Sequence, residues 1–179
     1  YDPNNNYNTE LRLGPYSSMK FVNAVATLTP SGQIEQIFVD VEHMNMGYVV
    51  FQFFKNCEWQ YVLVDTRLPF SIELKKFLFS HNGSFDVMWL ALLEKAYAKL
   101  NGKYHHLGAL SYEDILIDMS SCTLDKIKLA EPENEQLVNS KKLFSVISNY
   151  MASKTPHILV CVNKTKKNSG SNMPETGEY

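Results

Sequence analysis

The sequence contains no apolar run able to cross a membrane as a helix. Stretches such as "YVVFQFF" fall far short of the roughly 20 residues such a helix needs. It also lacks a charge of one sign. The 17 Lys and Arg against 19 Asp and Glu leave a formal net charge of −2, so no strong field recruits nucleic acid or anionic lipid. Cysteine is scarce: Cys57, Cys122 and Cys161 lie 65 and 39 residues apart. That pattern fits neither a disulfide framework nor a zinc site, and an odd count points to free thiols in a reducing compartment. The one adjacent histidine pair, His105 and His106, is a poor metal site because chain neighbours do not share a helix face. The chain starts at Tyr1 rather than Met, so no targeting signal is read from it and a fragment of a longer protein is expected.

What is present is ordinary globular material. The 179 residues are 45% apolar and 20% charged, enough for one domain or slightly more with a real core. Residues 1–12 are polar and aperiodic and read as an extended arm. "MKFVNAVATLT" repeats apolar residues at helical spacing and stops at Pro30 and Gly32, which punctuate a helix. "QIFVDVEHM" is β-prone and reads as a strand. "GYVVFQFFKNCEWQYVLVD" has two β-rich runs around the polar link "KNCE" and predicts a hairpin. "TRLPF" leaves the sheet at Pro69, and a turn is expected at Asn82-Gly83.

The next pattern predicts a helix starting near Asp86, with Trp89, Leu93, Ala96, Tyr97 and Leu100 buried and Glu94, Lys95 and Lys99 in water. Asn101-Gly102 should end it. A second helix is expected from Ser111 to Met119. The acidic, proline-broken "LAEPENEQ" is the best candidate boundary. "SKKLFSVISNYMASK" reads as an amphipathic helix, "HILVCVN" as a short central strand, and the tail from Lys164 as a loop poor in apolar residues.

In their fixed order, "FQFFKNCEWQYVLVDTRLP" and "SFDVMWLALLEKAYAKLNGKYHHLGALSYEDILIDMSS" resemble the protease core of the calpains, calcium-dependent papain-like cysteine proteases. The eight residues Leu92 to Lys99 match the family's helix without a change. The resemblance implies an α+β fold: a first, Cys-bearing subdomain over 13–130 and the start of a second, truncated, over 131–179.

The family's chemistry is then tested position by position. A papain-like protease needs a thiolate at a helix N-terminus, a His as general base and an oxyanion donor. Aligning "LGPYSSMKFVNAVATL" with the family's nucleophile stretch puts Met19 at the Cys, Lys20 at the adjacent Trp and Leu13 at the oxyanion Gln. Ser17 and Ser18 are the nearest hydroxyls, and an unassisted Ser is a poor nucleophile; one of them is expected to cap the helix. None of the three cysteines fits the register. His157 falls too early to be the base, and the tail after it holds no His. For calcium, Glu10 fits one acidic position of the family, while the second falls on Val87 with Asp86 one residue away; no calcium or other cofactor is therefore expected. "DMSSC" stands where the family has a Thr-Gly-Gly type ending.

These positions lead to the expectation of a non-catalytic module whose substituted residues fill and cover the old cleft. Relatives of this kind imply partners that are other proteins of a cytoskeletal or regulatory assembly, with no nucleic acid and no membrane span. They imply a cytoplasmic place on the cytoskeleton or flagellar axoneme. The alternative is a calcium-dependent cysteine endopeptidase fragment whose missing catalytic groups lie outside this chain.

Overall fold

The computed structural model describes residues 10–84, 86–140, 142–153 and 157–161. It opens with a two-residue strand, β1 (Leu11–Arg12), paired antiparallel with His81 and Asn82. The end of the expected arm is therefore part of the fold, while residues 1–9 lie outside the described residues. Gly14 passes so close to the next segment that a Cβ there would meet Phe79 O at 2.3 Å.

Helix α1 (Met19–Leu28) starts as expected. Ser18 is its N-cap, and the Ser18 hydroxyl accepts from the Phe21 N–H at 3.4 Å. Phe21, Val22, Ala24, Val25 and Leu28 are buried. Short 3-10 turns over Thr29–Ser31 and Gln33–Ile37 lead to β2 (Phe38–Asp40), and another follows over Glu42–Met46. The strand expected over "QIFVDVEHM" is thus only three residues long. Asp40 stops it: its carboxylate accepts from the His43 backbone N–H and holds the His43 ring at 2.7 Å, the local side-chain bonding by which Asp turns a chain.

The hairpin forms as expected, with β3 (Tyr48–Lys55) and β4 (Glu58–Asp65) in register from Tyr48 opposite Asp65 to Lys55 opposite Glu58. Asn56 and Cys57 both take left-handed φ values, 55° and 63°, the conformation whose twist matches a two-residue hairpin link. Sheet order is β2-β3-β4. One face buries Val49, Phe51, Phe53, Val62 and Val64, while Tyr61 and Leu63 are exposed on the other. Beyond it, β5 (Phe70–Ser71) pairs with β6 (Lys76–Phe77), and β7 (His81–Asn82) returns to β1.

Helix α2 (Trp89–Leu100) begins three residues later than expected, because Asn82 reaches across to accept from the Leu90 N–H at 3.1 Å. Several assignments within it are corrected, Leu100 among them, which is half-buried rather than buried. Trp89 is half-buried rather than buried, and Glu94, expected in water, is 1% exposed. Lys95 is also less wet than expected, since its ammonium donates to the carbonyls of Asp65 and Arg67. Lys99 stays exposed and donates to Leu63 O. Gly102, at φ 95°, ends the helix as the sequence predicts.

A four-residue turn of helix, α3 (Tyr104–Leu107), was not anticipated; α4 (Tyr112–Ser120) was, and it carries a reciprocal Ser111–Asp114 capping box. The core lies where α2 and α4 cover the buried face of the hairpin and α1 packs against α4. Tyr97 is at its centre, with ring centroids 5.8 Å from Phe21 and 5.3 Å from Phe53. Its hydroxyl donates to Asp118 at 2.7 Å, and Asp118 also pairs with Lys55.

From Ser121 onward the packing changes. Residues 121–130 are exposed and form no helix or strand. Helix α5 (Pro132–Asn139) starts inside the proposed boundary, since proline is well suited to a first helical turn. Helix α6 (Lys142–Ala152) forms as expected but has no buried residue. The central strand expected over "HILVCVN" is not found over its described part: residues 157–161 have no strand partner among the described residues and are exposed, Cys161 included. The last two residues of that stretch, Val162 and Asn163, and the tail from Lys164 lie outside the described residues.

Candidate functional site

The candidate site is the start of α1, where a papain-like protease would hold its thiolate. A helix N-terminus stabilises negative charge through its free N–H groups and dipole. Here two of the amides at the helix start are occupied from within the fold. The Phe21 N–H is taken by the Ser18 hydroxyl, which itself donates to Leu107 O at 3.3 Å. The Ser18 N–H is taken by Glu94 Oε1 at 3.3 Å.

The residues placed at the family's catalytic positions are brought to this spot but do not form a cavity wall. Met19 is 61% exposed and Leu13 46% exposed. The expectation that they fill and cover the cleft is therefore corrected: the backbone turns both side chains outward. Lys20 is also exposed, and its ammonium bridges α1 to the loop after α3, donating to Gly108 O at 3.3 Å and Leu110 O at 2.8 Å. The three thiols belong elsewhere. Cys57 is in the hairpin link, Cys122 follows α4 and Cys161 ends the 157–161 segment, and all three are exposed.

A cavity of about 390 Å³ opens beside this helix start. Tyr16, Ser17 and Ser18 form one wall and Tyr104, His105 and His106 the other. The His106 ring is oriented by its Nδ1, 2.7 Å from Asn101 O, and Ser17 Oγ accepts from the Gly14 N–H at 2.9 Å. The Tyr104 ring stacks on Phe79 with centroids 3.6 Å apart. Although both histidines reach one cavity, the described residues contain no group of three or more His, Cys, Asp or Glu side chains that could hold a metal.

Glu94 was missed by sequence reasoning. Its Oε2 accepts from the Ser80 N–H at 2.7 Å while Oε1 takes Ser18, so one carboxylate joins α1, the 78–82 segment and α2. Burial raises its pKa, opposed by the donors of Ser80 and Ser18. The Ser80 hydroxyl lies beside the Glu94 carboxylate and helps to hold its pKa down, while the Tyr104 hydroxyl is enclosed and meets no hydrogen-bond partner among the described residues. Burial and the Glu94 charge push the Tyr104 phenol up as well. A signal was available: Leu90, Leu93, Glu94 and Tyr97 follow the i, i+3, i+4, i+7 spacing of one helix face, which places Glu94 on the buried stripe.

The calcium positions do not fit a cation cage. Glu10 is exposed, and its carboxylate is paired with Arg12 at 2.8 Å, which lowers its pKa. Asp86 is exposed, with its backbone N–H on Ser84 Oγ at 3.3 Å. Calcium requires six to eight oxygens converging on one point, and a carboxylate already neutralised by a guanidinium is a poor start.

Comparison with known proteins agrees with the order of elements. The family model described as calpain family cysteine protease matches residues 4–177. The calpain-type cysteine protease DEK1 of Zea mays is 29% identical over 130 residues, covering 73% of this chain and 6% of that protein. Calpain-9 of Homo sapiens is 31% identical over 140 residues, covering 75% of this chain and 20% of that protein. The calpain of Schistosoma mansoni is 35% identical over 101 residues, covering 56% of this chain and 13% of that protein. The chain thus spans a fifth or less of these relatives' lengths. With a family match over nearly its whole length and an α+β core of the expected kind, the chain belongs to the calpain family of cysteine proteases.

Proposed function

We propose that this chain is a non-catalytic calpain-family module that acts by binding other proteins. The observation that carries the reading is the start of α1. Ser18 caps the helix there, and Met19 and Lys20 follow at the family's nucleophile and tryptophan positions. A thioether cannot form the acyl intermediate that a thiolate forms. Lys20 spends its charge on two loop carbonyls, Gly108 O and Leu110 O, a tether rather than a proton relay. The packing around Phe21, Tyr97 and Leu107 keeps the shape of the domain, so the shape is what remains to be used.

The partners in this reading are proteins of a cytoskeletal or axonemal assembly in the cytoplasm. The near-neutral charge turns contact away from simple basic attraction to an acidic polymer. No described helix is long and apolar enough to cross a membrane. Detergent extraction of cells should leave the protein in the insoluble fraction; a wholly soluble, monomeric pool would remove the scaffold reading.

The catalytic half is tested separately. The purified protein should hydrolyse no peptide with or without calcium, and an epoxide probe for active-site thiols should label it no faster than a free exposed cysteine. Met19→Cys should produce a thiol acidified by the helix start that alkylates readily yet turns over no substrate, because Leu13 supplies no oxyanion donor. Calcium-dependent cleavage blocked by the epoxide would instead establish the endopeptidase alternative.

A further inference from the structure

The carboxylate that holds the candidate site together is itself titratable, and nothing in the proposed binding role uses its charge. We propose that Glu94 is an acid-sensitive latch: ionised, it ties the start of α1 and the 78–82 segment to α2, and on protonation it releases the Ser18 amide and loosens the Tyr16–Ser18 wall of the cavity.

The geometry supplies the mechanism. Glu94 is 1% exposed, and its two oxygens are used by two different segments, Ser18 N–H on Oε1 and Ser80 N–H on Oε2. An ionised carboxylate accepts on both oxygens. A protonated one carries a hydroxyl, which presents a hydrogen to one of those N–H donors and breaks that bond. The bond to Ser80 is the shorter, 2.7 Å against 3.3 Å, so the Ser18 bond is the one given up. Glu94 stays buried beside Ser80 when that bond opens, and loss of the Ser18 donor, which lowers its pKa in the closed arrangement, is what makes acid favour release. Ser18 lines the cavity together with Tyr16, Ser17 and Tyr104, and the release is transmitted there directly.

The surroundings place the transition above that of an ordinary glutamate. No charged side chain contributes to the Glu94 shift; burial raises it against the donors of Ser80 and Ser18. From α3, Tyr104 faces it with a phenol that stays neutral. Its neighbours on α1 and α2 are committed elsewhere, Lys20 to Gly108 O and Leu110 O and Lys95 to Asp65 and Arg67. On the 78–82 segment, the His81 ring lies against Phe79 O and Phe77. His105 and His106 line the cavity from the other wall.

The test is an NMR titration of the full chain with labelled glutamate carboxyls and backbone amides. The Glu94 carboxyl should titrate above the ordinary 4.5, and the Ser18 amide should shift with the same midpoint. Below that midpoint the protection of the Ser18 amide against exchange, corrected for its intrinsic rate, should fall about tenfold or more, the worth of one bond to a charged acceptor. Glu94→Gln should abolish the shared transition. If that variant does not fold, the wild-type titration decides alone. A Glu94 midpoint at or below 4.5, or a Ser18 midpoint shared with His81, His105 or His106 instead, would overturn the latch.

Discussion

Helices α2 and α6 look alike as sequences and differ completely as structure. Both have an apolar stripe with lysines beside it. Helix α2 buries eight of its residues, Glu94 among them, whereas α6 buries none. Amphipathic spacing makes a helix able to pack, and a neighbour with a complementary surface decides whether it does. Helix α2 has such neighbours in α3, β3, β4 and β7. Helix α6 meets α5, with Phe144 and Met151 left 75% and 62% exposed. The polar residues of α2 also act as connectors. Glu94 fixes α1, Lys95 fixes the exit from β4, and Lys99 donates to a carbonyl of β4, an edge strand of the sheet. With polar connectors at such close spacing, a replacement in this segment disturbs another element as well as the helix itself.

The largest effect that would sharpen this contrast comes from Tyr97→Ala. The side chain is fully buried between Phe21 and Phe53 and its hydroxyl satisfies Asp118. Urea unfolding should show a loss of about 3–5 kcal/mol, the usual cost of emptying an aromatic core site. A loss below 1 kcal/mol would mean that α2 is not the organising element.

Glu94→Ala comes next. It strands two backbone donors, Ser18 N–H and Ser80 N–H, at about 1–3 kcal/mol for a buried unsatisfied group. The Glu94→Gln variant reads the sign of the titration. A carboxyl whose pKa is raised in the fold binds its proton more tightly folded than unfolded. Its contribution to stability is therefore greatest at low pH and is lost as pH rises from the unfolded value through the folded one. Stability of the wild type relative to Glu94→Gln should accordingly fall as pH rises from about 4 through the Glu94 transition. A difference that grows with pH would reverse the direction argued from burial.

Asp118→Ala probes the other buried polar link. It leaves Tyr97 without its acceptor and Lys55 without its counter-ion. Because Lys55 can turn toward solvent, being 27% exposed, the expected cost is about 1–3 kcal/mol. Adding Lys55→Met to Asp118→Ala should recover part of it, since an apolar pair often replaces an ion pair without loss.

The sequence made the hairpin and α1 legible because their signals are local. Alternation and the polar link define β3 and β4, and Ser18 followed by an apolar period defines α1. What it hid were decisions made across the chain. Glu94 looked like a surface charge because its partners, Ser18 and Ser80, are backbone amides that no residue letter announces. The start of α2 depends on Asn82, eight residues before the amide it accepts from. "HILVCVN" has the composition of a strand, but composition supplies no partner, and none is present among the described residues for 157–161. The site was legible only through resemblance. Nothing about Met19 or Leu13 marks them except the register into which the neighbouring family pattern places them.

The smallest effect belongs to α6 and tests the contrast from its other side. Phe144 is 75% exposed in a helix with no buried residue. Phe144→Ser removes an aromatic side chain that contributes little burial, so stability should change by no more than about 0.5 kcal/mol, as for surface substitutions generally. The same change in Phe21, fully buried on α1, serves as the matched control and should cost several times more. Comparing the two separates helix propensity from packing, because both replace Phe by Ser within a helix. A loss of 2 kcal/mol or more at Phe144 would show that its face is covered in solution, and the unlike fates of α2 and α6 would then collapse into one.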